Sequence, residues 1–195
     1  TVGIPTYNRP DNLKNIIECV QKQTYKDIEI FISDNASENQ ENIQSIVNQF
    51  KKHDPRITLF LQKKNLGAIR NMLFLLDHAK TDYFIWMADD DEFDPAFIET
   101  LFTHLSVNTS ASVAITGVKT IDLSNKITVQ YETGSYLQKI SSPDRYQRLL
   151  NYINMPSEHG KSRIFWGLCR TEILKKAVKE VISQGDIDLN KEILS

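Results

Sequence analysis

Residues 84 to 93 read Phe-Ile-Trp-Met-Ala-Asp-Asp-Asp-Glu-Phe, an apolar run set directly against the acids Asp89, Asp90, Asp91 and Glu92. Adjacent carboxylates repel, and each one withdrawn from water carries a desolvation cost. Hard oxygen ligands of this kind suit Mg²⁺ or Mn²⁺, and Mg²⁺ is commonly held by one or two carboxylates together with substrate phosphates. The chemistry suggested is a divalent cation facing a diphosphate; a solvated acidic turn is the other reading of the same residues. Three further polar clusters follow apolar runs: Thr6, Tyr7, Asn8 and Arg9; then Ser33, Asp34, Asn35 and Ser37; then Asn65, Gly67 and Arg70. Each alone has a plain explanation, as an Asx turn, a helix entry or a solvated charge. Together they are a site hypothesis, because ligands of open parallel sheets bind at the carboxyl ends of the strands.

The elements that must position these residues alternate along the first half. "VGIPT" is a short buried strand, and Leu13, Ile16, Ile17 and Val20 recur at helical spacing after Pro10, a residue suited to a first turn. "IEIFISD" is a second strand, followed by a helix marked by Ile43, Ile46, Val47 and Phe50. "ITLFLQ" is a third, with Ile69, Met72, Leu73 and Leu76 on its helix, and "DYFIWMA" a fourth. Asp94 and Pro95 read as an N-cap and first-turn pair for a helix carrying Phe97, Ile98, Leu101, Phe102 and Leu105. Such alternation implies a largely parallel sheet covered on both faces. Beyond it, "SVAITGV" and "ITVQYE" read as strands of an antiparallel hairpin. Ser142 and Pro143 open a helix through Leu149, Leu150 and Ile153, "MPSEHGKSR" reads as an exposed loop and "IFWGLCR" as a buried segment. A last helix carries Ile173, Leu174, Ala177, Val178, Val181 and Ile182.

Composition narrows the classes. The 195 residues suit one substantial α/β domain, and 41% apolar with 25% charged residues is ordinary for a globular protein. A net charge of -2 offers no basic stripe for nucleic acid and no polybasic membrane patch. No apolar run approaches the ~20 residues of a membrane-spanning helix. Cys19 and Cys169 have no zinc or disulfide spacing, which fits a reducing compartment. The absence of GxxxxGK[ST] and GxGxxG removes the main support for P-loop and dinucleotide readings.

The stretches "VGIPTYNR", "DIEIFISDNAS", "DPRITLFLQKKNLGAIRN" and "DYFIWMADDDEFDPAFIETL" resemble, in order and spacing, the nucleotide-sugar half of family 2 glycosyltransferases of the GT-A fold. "FWGLCRTEILKKA" is similar to a later segment of these enzymes. The resemblance implies an α/β/α sandwich with a mostly parallel central sheet and an antiparallel excursion in the second half. One GT-A-like domain would span 1–195, with a donor half over 1–107 and an acceptor half over 108–195 that is cut short at its C-terminus. The implied reaction is inverting, metal-dependent transfer from a nucleoside-diphosphate sugar, UDP-linked by preference, to a hydroxyl of a glycan or lipid-linked acceptor in cell-surface polysaccharide synthesis.

By the same resemblance, Pro5, Thr6 and Tyr7 lie beside the nucleoside with Arg9 near them, and Asp34 accepts a hydrogen bond from the base. Asn65 and Gly67 belong to the nucleotide-sugar site, and Arg70 sits near the diphosphate. The family's Asp-x-Asp-Asp, or DXD-type, pattern has Ala88 at its first position here. Asp89 and Asp90 are placed near ribose and metal, and Asp91, with Asp89, ligates Mn²⁺ or Mg²⁺. The base is sought in the second half: Asp186 or Asp188 of "GDIDL", with His159 a weaker candidate and Trp166 a possible wall of the acceptor cleft. The setting implied is cytoplasmic, with peripheral association at the inner face of the membrane left open. Two readings compete. A sugar-phosphate nucleotidyltransferase wants a Gly-rich loop after the first strand, which "PTYNRPDN" lacks, and a binding module without a base would hold donor and metal yet transfer nothing.

Overall fold

The structure is a computed structural model that describes residues 1–117, 119–121, 127–130, 140–155 and 161–183. His159, Asp186 and Asp188 lie outside the described residues. The chain forms two compact units, one of Thr1–Ala114 with the segment from Leu168 onward, the other of Ile115–Gly167.

The first unit holds a six-stranded sheet. Its strands are β1 (Val2–Thr6), β2 (Ile30–Asp34), β3 (Ile57–Leu61), β4 (Tyr83–Trp86), β5 (Val113–Ala114) and β8 (Leu168–Arg170), in the spatial order β3-β2-β1-β4-β8-β5. β1, β2, β3 and β4 are parallel to their neighbours among themselves, whereas β8 runs antiparallel to both β4 and β5. The chain therefore winds outward from β1 to β3 and then returns to place β4 on the other side of β1. That reversal makes the carboxyl ends of β1 and β4 the topological switch point, the place at which open α/β sheets bind ligands.

Period-two alternation sorts the strand residues between two faces. Val2, Ile4, Ile30, Ile32, Ile85 and Met87 share one buried cluster with Leu13, Ile16, Ile17 and Val20 of α1 (Pro10–Gln21), Ile43 and Val47 of α2 (Gln40–Lys51), and Ile98, Leu101 and Leu105 of α4 (Phe97–Val107). The opposite face carries Gly3, Phe84 and Trp86 under α3 (Ala68–His78), where Trp86 donates its indole N–H to the Met72 carbonyl at 3.0 Å. α6 (Thr171–Ser183) follows β8, and its Lys175 donates to the Ala79 carbonyl at 2.7 Å.

Several local expectations shift. The buried residues of α3 are Asn71, Leu75 and Leu76, while Ile69, Met72 and Leu73 are only half-buried. An apolar count misses this face because a polar residue lies at its centre. Helix α4 starts at Phe97, not at Pro95: Asp94 caps the turn before it, accepting from Ala96 N–H at 2.8 Å. "SVAITGV" contributes only Val113–Ala114 to the sheet. In the second unit the hairpin pairs β6 (Lys119–Ile121) with β7 (Ile127–Gln130), so the partner of "ITVQYE" is a later segment than expected. Helix α5 (Arg145–Ile153) is capped by Asp144, whose Oδ1 accepts from Tyr146 and Gln147 N–H at 2.8 and 3.1 Å, rather than by Ser142. "IFWGLCR" divides into the end of a 3₁₀ helix (Lys161–Trp166) and the buried strand β8.

Gly3 lets β4 approach β1 beneath α3. A methyl group there would stand 2.8 Å from the Phe84 ring and 3.3 Å from Leu75 Cβ. Phe84 is fully buried and edge-on to Trp86 at 4.8 Å, so its ring has little room to give. Gly3→Ala is expected to cost about 1–3 kcal/mol in urea unfolding. Phe84→Leu in the same chain is expected to return part of that loss, and strictly additive losses would show that the two residues do not compete for space.

Candidate functional site

The carboxyl ends of β1, β2 and β3 lie in register, with Thr6 paired to Asp34 and Asp34 to Leu61. The loops that leave them turn sharply. Asn8 and Ala36 have left-handed backbones, φ 55 and φ 61, and Gly67 at the entry to α3 has φ 83. Asn tolerates this region well and Ala does not, and the Gly67 conformation (ψ 159) is essentially closed to other residues. Side-chain bonds hold these turns together. Asn8 N–H donates to Ser37 Oγ at 2.7 Å, while Asn8 Oδ1 accepts from Glu38 N–H at 2.8 Å, so the first two loops clasp each other. Asn35 donates to Asn65 Oδ1 at 2.9 Å and accepts from Leu66 N–H at 2.8 Å, and Asn65 Oδ1 also accepts from Gly67 N–H at 2.8 Å. The second and third loops are joined in this way.

Asp34 is fully buried beneath that clasp. Its carboxylate accepts from Ser37 Oγ, from Ser37 N–H at 3.1 Å and from Gln40 Nε2 at 2.8 Å. Pro5 is half-buried in β1, Tyr7 is 42% exposed, and Asn65 is exposed at the rim. Arg70 lies half-buried in the first turn of α3.

The acidic loop is the sharpest feature. Asp89 is buried, and Thr6 Oγ1 donates to its Oδ2 at 2.8 Å. Arg9 sends a single nitrogen, Nη1, to Asp89 Oδ1 and to Asp90 Oδ2, both at 3.0 Å. Two carboxylates thus converge on one positive centre at the switch point. The exit of the loop is anchored by Gln23, fully buried after α1, which donates to the Asp94 carbonyl at 2.9 Å and accepts from Ile98 N–H at 3.0 Å. Asp91 stands at the exposed rim. Partial desolvation, then the charges of Asp90 and Asp89, hold its carboxyl above the usual carboxylate range.

The expected residues Thr6, Arg9, Asp89 and Asp90 are therefore brought into direct contact, with Asp91 within electrostatic reach. Asn8, Asn35, Ser37, Gln23 and Asn71 position the loops without having been assigned roles from sequence. Asn71 accepts from Ser33 Oγ at 2.6 Å and donates to the Ser33 carbonyl at 3.0 Å, fastening α3 to β2. Asn8, Asn35 and Ser37 stand in turn sequences that local hydrogen bonding explains equally well, and Gln23 and Asn71 read as ordinary polar residues at the end of one helix and within another.

Among the described residues no group of three acid, His or Cys side chains is poised as a complete metal cage. Asp89 and Asp90 nevertheless fit a divalent cation: their oxygens already gather around a positive charge, and Mg²⁺-type sites need only one or two carboxylates when a phosphate completes them.

Glycosyl transferase family 2 matches residues 1–171, and the chain belongs to that family. Its fold is of the GT-A type. Over 102 residues it is 35% identical to the GalNAc(5)-diNAcBac-PP-undecaprenol beta-1,3-glucosyltransferase of Campylobacter jejuni, covering 52% of this chain and 32% of that one. Over 134 residues it is 30% identical to glycosyltransferase GlyG of Streptococcus pneumoniae, covering 69% and 44%. The chain thus spans less than half the length of these relatives. Similar folds include S. aureus TarS 1-349 in complex with UDP, with TM-score 0.61, 14% identity, and 90% and 48% coverage. The mannosyltransferase PcManGT of Pyrobaculum calidifontis, in complex with GDP-Man and Mn²⁺, has TM-score 0.53, 18% identity, and 61% and 35% coverage.

Because its carboxyl is held above the ordinary value, the folded state retains the Asp91 proton to higher pH than the unfolded chain, and stability falls as pH rises through that folded value. Ionised Asp91 therefore costs stability at neutral pH. In the absence of ligand, Asp91→Asn is expected to raise the thermal midpoint at pH 7, the gain fading as pH drops below about 4, where the acid is protonated in both states. A loss of stability at pH 7 would mean that Asp91 is a structural residue.

Proposed function

We propose that the chain carries the donor site of a metal-dependent, inverting glycosyltransferase. It would transfer a sugar from a nucleoside diphosphate, preferentially UDP, to a hydroxyl of a glycan or lipid-linked acceptor. The observation that carries the reading is the convergence of Asp89 and Asp90 on one positive centre at the β1/β4 switch point, with Thr6 fixing Asp89. Membership of the family supports transfer chemistry, and the complexes of TarS with UDP and of PcManGT with GDP-Man and Mn²⁺ support a nucleotide and a cation as ligands. The lipid pyrophosphate in the name of the Campylobacter relative supports a lipid-linked acceptor.

In this reading Asp89, Asp90 and Asp91 hold the Mn²⁺ or Mg²⁺. When bound, the cation supplies Lewis-acid stabilisation of the charge that develops on the departing diphosphate. Thr6 keeps Asp89 aimed, and Arg70 in the first turn of α3 offers a guanidinium and a helix N-terminus to phosphate oxygens. Pro5 and Tyr7 flank the nucleoside. Asp34 accepts from the base after its carboxylate gives up part of its bonding to Ser37 and Gln40, or else acts by holding the loop that frames the base. The clasped loops fix these groups before ligand arrives, which lowers the ordering cost of binding. A base removes the acceptor proton as the hydroxyl attacks the anomeric carbon; Asp186 and Asp188 are the residues proposed for it. No helix among the described residues is long and apolar enough to cross a membrane. Peripheral association with the inner face of a membrane would bring a lipid-linked acceptor within reach of a cytoplasmic site.

UDP with Mn²⁺ is expected to stabilise the protein in a thermal-shift assay, by about 2.7 kcal/mol at one hundred times its dissociation constant. EDTA should abolish most of the shift. Equal shifts with and without EDTA would refute the metal role, and a larger shift with GDP would refute the uridine preference. Turnover tests the base. In an active form of the protein, Asp186→Asn is expected to lower kcat by roughly 10²–10⁴ with donor affinity nearly unchanged. If Asp188→Asn alone shows that collapse, the role belongs to Asp188.

A further inference from the structure

We propose that Arg9 is a built-in counter-cation to Asp89 and Asp90, which a divalent metal must displace, so that metal binds well only when a diphosphate is present to receive the freed guanidinium. The inference rests on the cation–diphosphate reading above and adds to it a residue that couples the two ligands.

Three observations carry it. One nitrogen of Arg9 serves two carboxylates at 3.0 Å each, so both acids depend on the same positive charge. The two sides of the pair are unequal in freedom. The Asp89 side chain is 5% exposed and tied by Thr6, whereas that of Arg9 is 51% exposed and extends from the residue that precedes α1. Asp89 therefore cannot turn to water when unpaired, whereas Arg9 can swing into solvent once its two bonds are broken. Finally, Asp90 is over half exposed on its own side chain, so without Arg9 nothing in this contact would hold it towards Asp89 against their mutual repulsion.

A metal arriving alone must break two charge-assisted bonds and leave a guanidinium without an anion. A diphosphate supplies that anion. Each ligand then improves the affinity of the other by the same factor, as linkage requires.

Mn²⁺ titrated alone, followed by the electron paramagnetic resonance signal of the free ion, tests the competition. Arg9→Ala is expected to bind Mn²⁺ alone about five- to tenfold more tightly than the native protein, in line with the loss of charge-assisted competitors. The gain in Mn²⁺ affinity on adding UDP is expected to shrink by a similar factor in the variant. Arg9→Gln, which keeps the bulk of the side chain, should behave as Arg9→Ala does, and far-ultraviolet circular dichroism checks that both fold. In the native protein, modification of Arg9 by phenylglyoxal, read by peptide mass spectrometry, should accelerate with Mn²⁺ alone. Unchanged Mn²⁺ affinity in both variants, or an unchanged modification rate, overturns the proposal while UDP-dependent metal binding still upholds the site. If neither native nor variant protein binds Mn²⁺ with UDP present, the counter-cation role and the metal site fall together.

Discussion

Asp89 lies three residues beyond β4, after the buried run Phe84, Ile85, Trp86 and Met87, and it is buried with them. A charge in that position is tolerable only if every oxygen has a partner and a positive charge stands close by. Thr6 is the partner of Oδ2, and Arg9 supplies both the partner of Oδ1 and the positive charge. Thr6 is the last residue of β1 and Arg9 immediately precedes α1, so the position of the acid depends on the turn that joins β1 to α1. That turn in turn depends on Asn8, whose left-handed backbone is stabilised by the loop after β2. Repulsion among adjacent acids is thus transmitted as a demand on the backbone of three separate loops.

The rim is consequently fastened from loop to loop. Amide side chains fasten the first loop to the second and the second to the third, while Gln23 anchors the exit of the acidic loop to the start of α4. Residues in sparsely populated backbone regions, Asn8, Ala36 and Gly67, occur at these turns and persist because the clasps over-determine them. Preorganisation of this kind suits a reaction in which the protein contributes placement and electrostatics more than covalent chemistry.

The antiparallel part of the sheet has a different role. β8 returns from the second half to cover the open edge of β4, and Cys169 and Leu168 complete the core there. Arg170 fastens the return by donating to the carbonyls of Ala111 and Leu105, both at 2.9 Å. The family match through residue 171 ends just after this strand, so the matched portion of the chain includes the strand that joins β4 to β5.

The sequence by itself determined the alternation of strands and helices, the parallel sheet and the four strand ends that carry chemistry, because burial of one face imposes a period of two on strands and 3.6 on helices. It also placed the acids, Thr6 and Arg9 at the strand ends, since all of them fall just beyond apolar runs. Only the tertiary structure decided which of them touch. Arg9 and Asp89 are 80 residues apart, and their contact follows from β4 returning beside β1, a pairing to which no local pattern points. The buried face of α3 was hidden for a related reason: Asn71 looks solvent-facing until Ser33 supplies both its partners across the sheet. Asp34 looks like a free acceptor until Gln40 and Ser37 fold over it. Hydrophobic periodicity reports burial of apolar side chains along one segment. The burial of polar groups depends on partners that other segments bring, and those become known only when the chain has closed on itself.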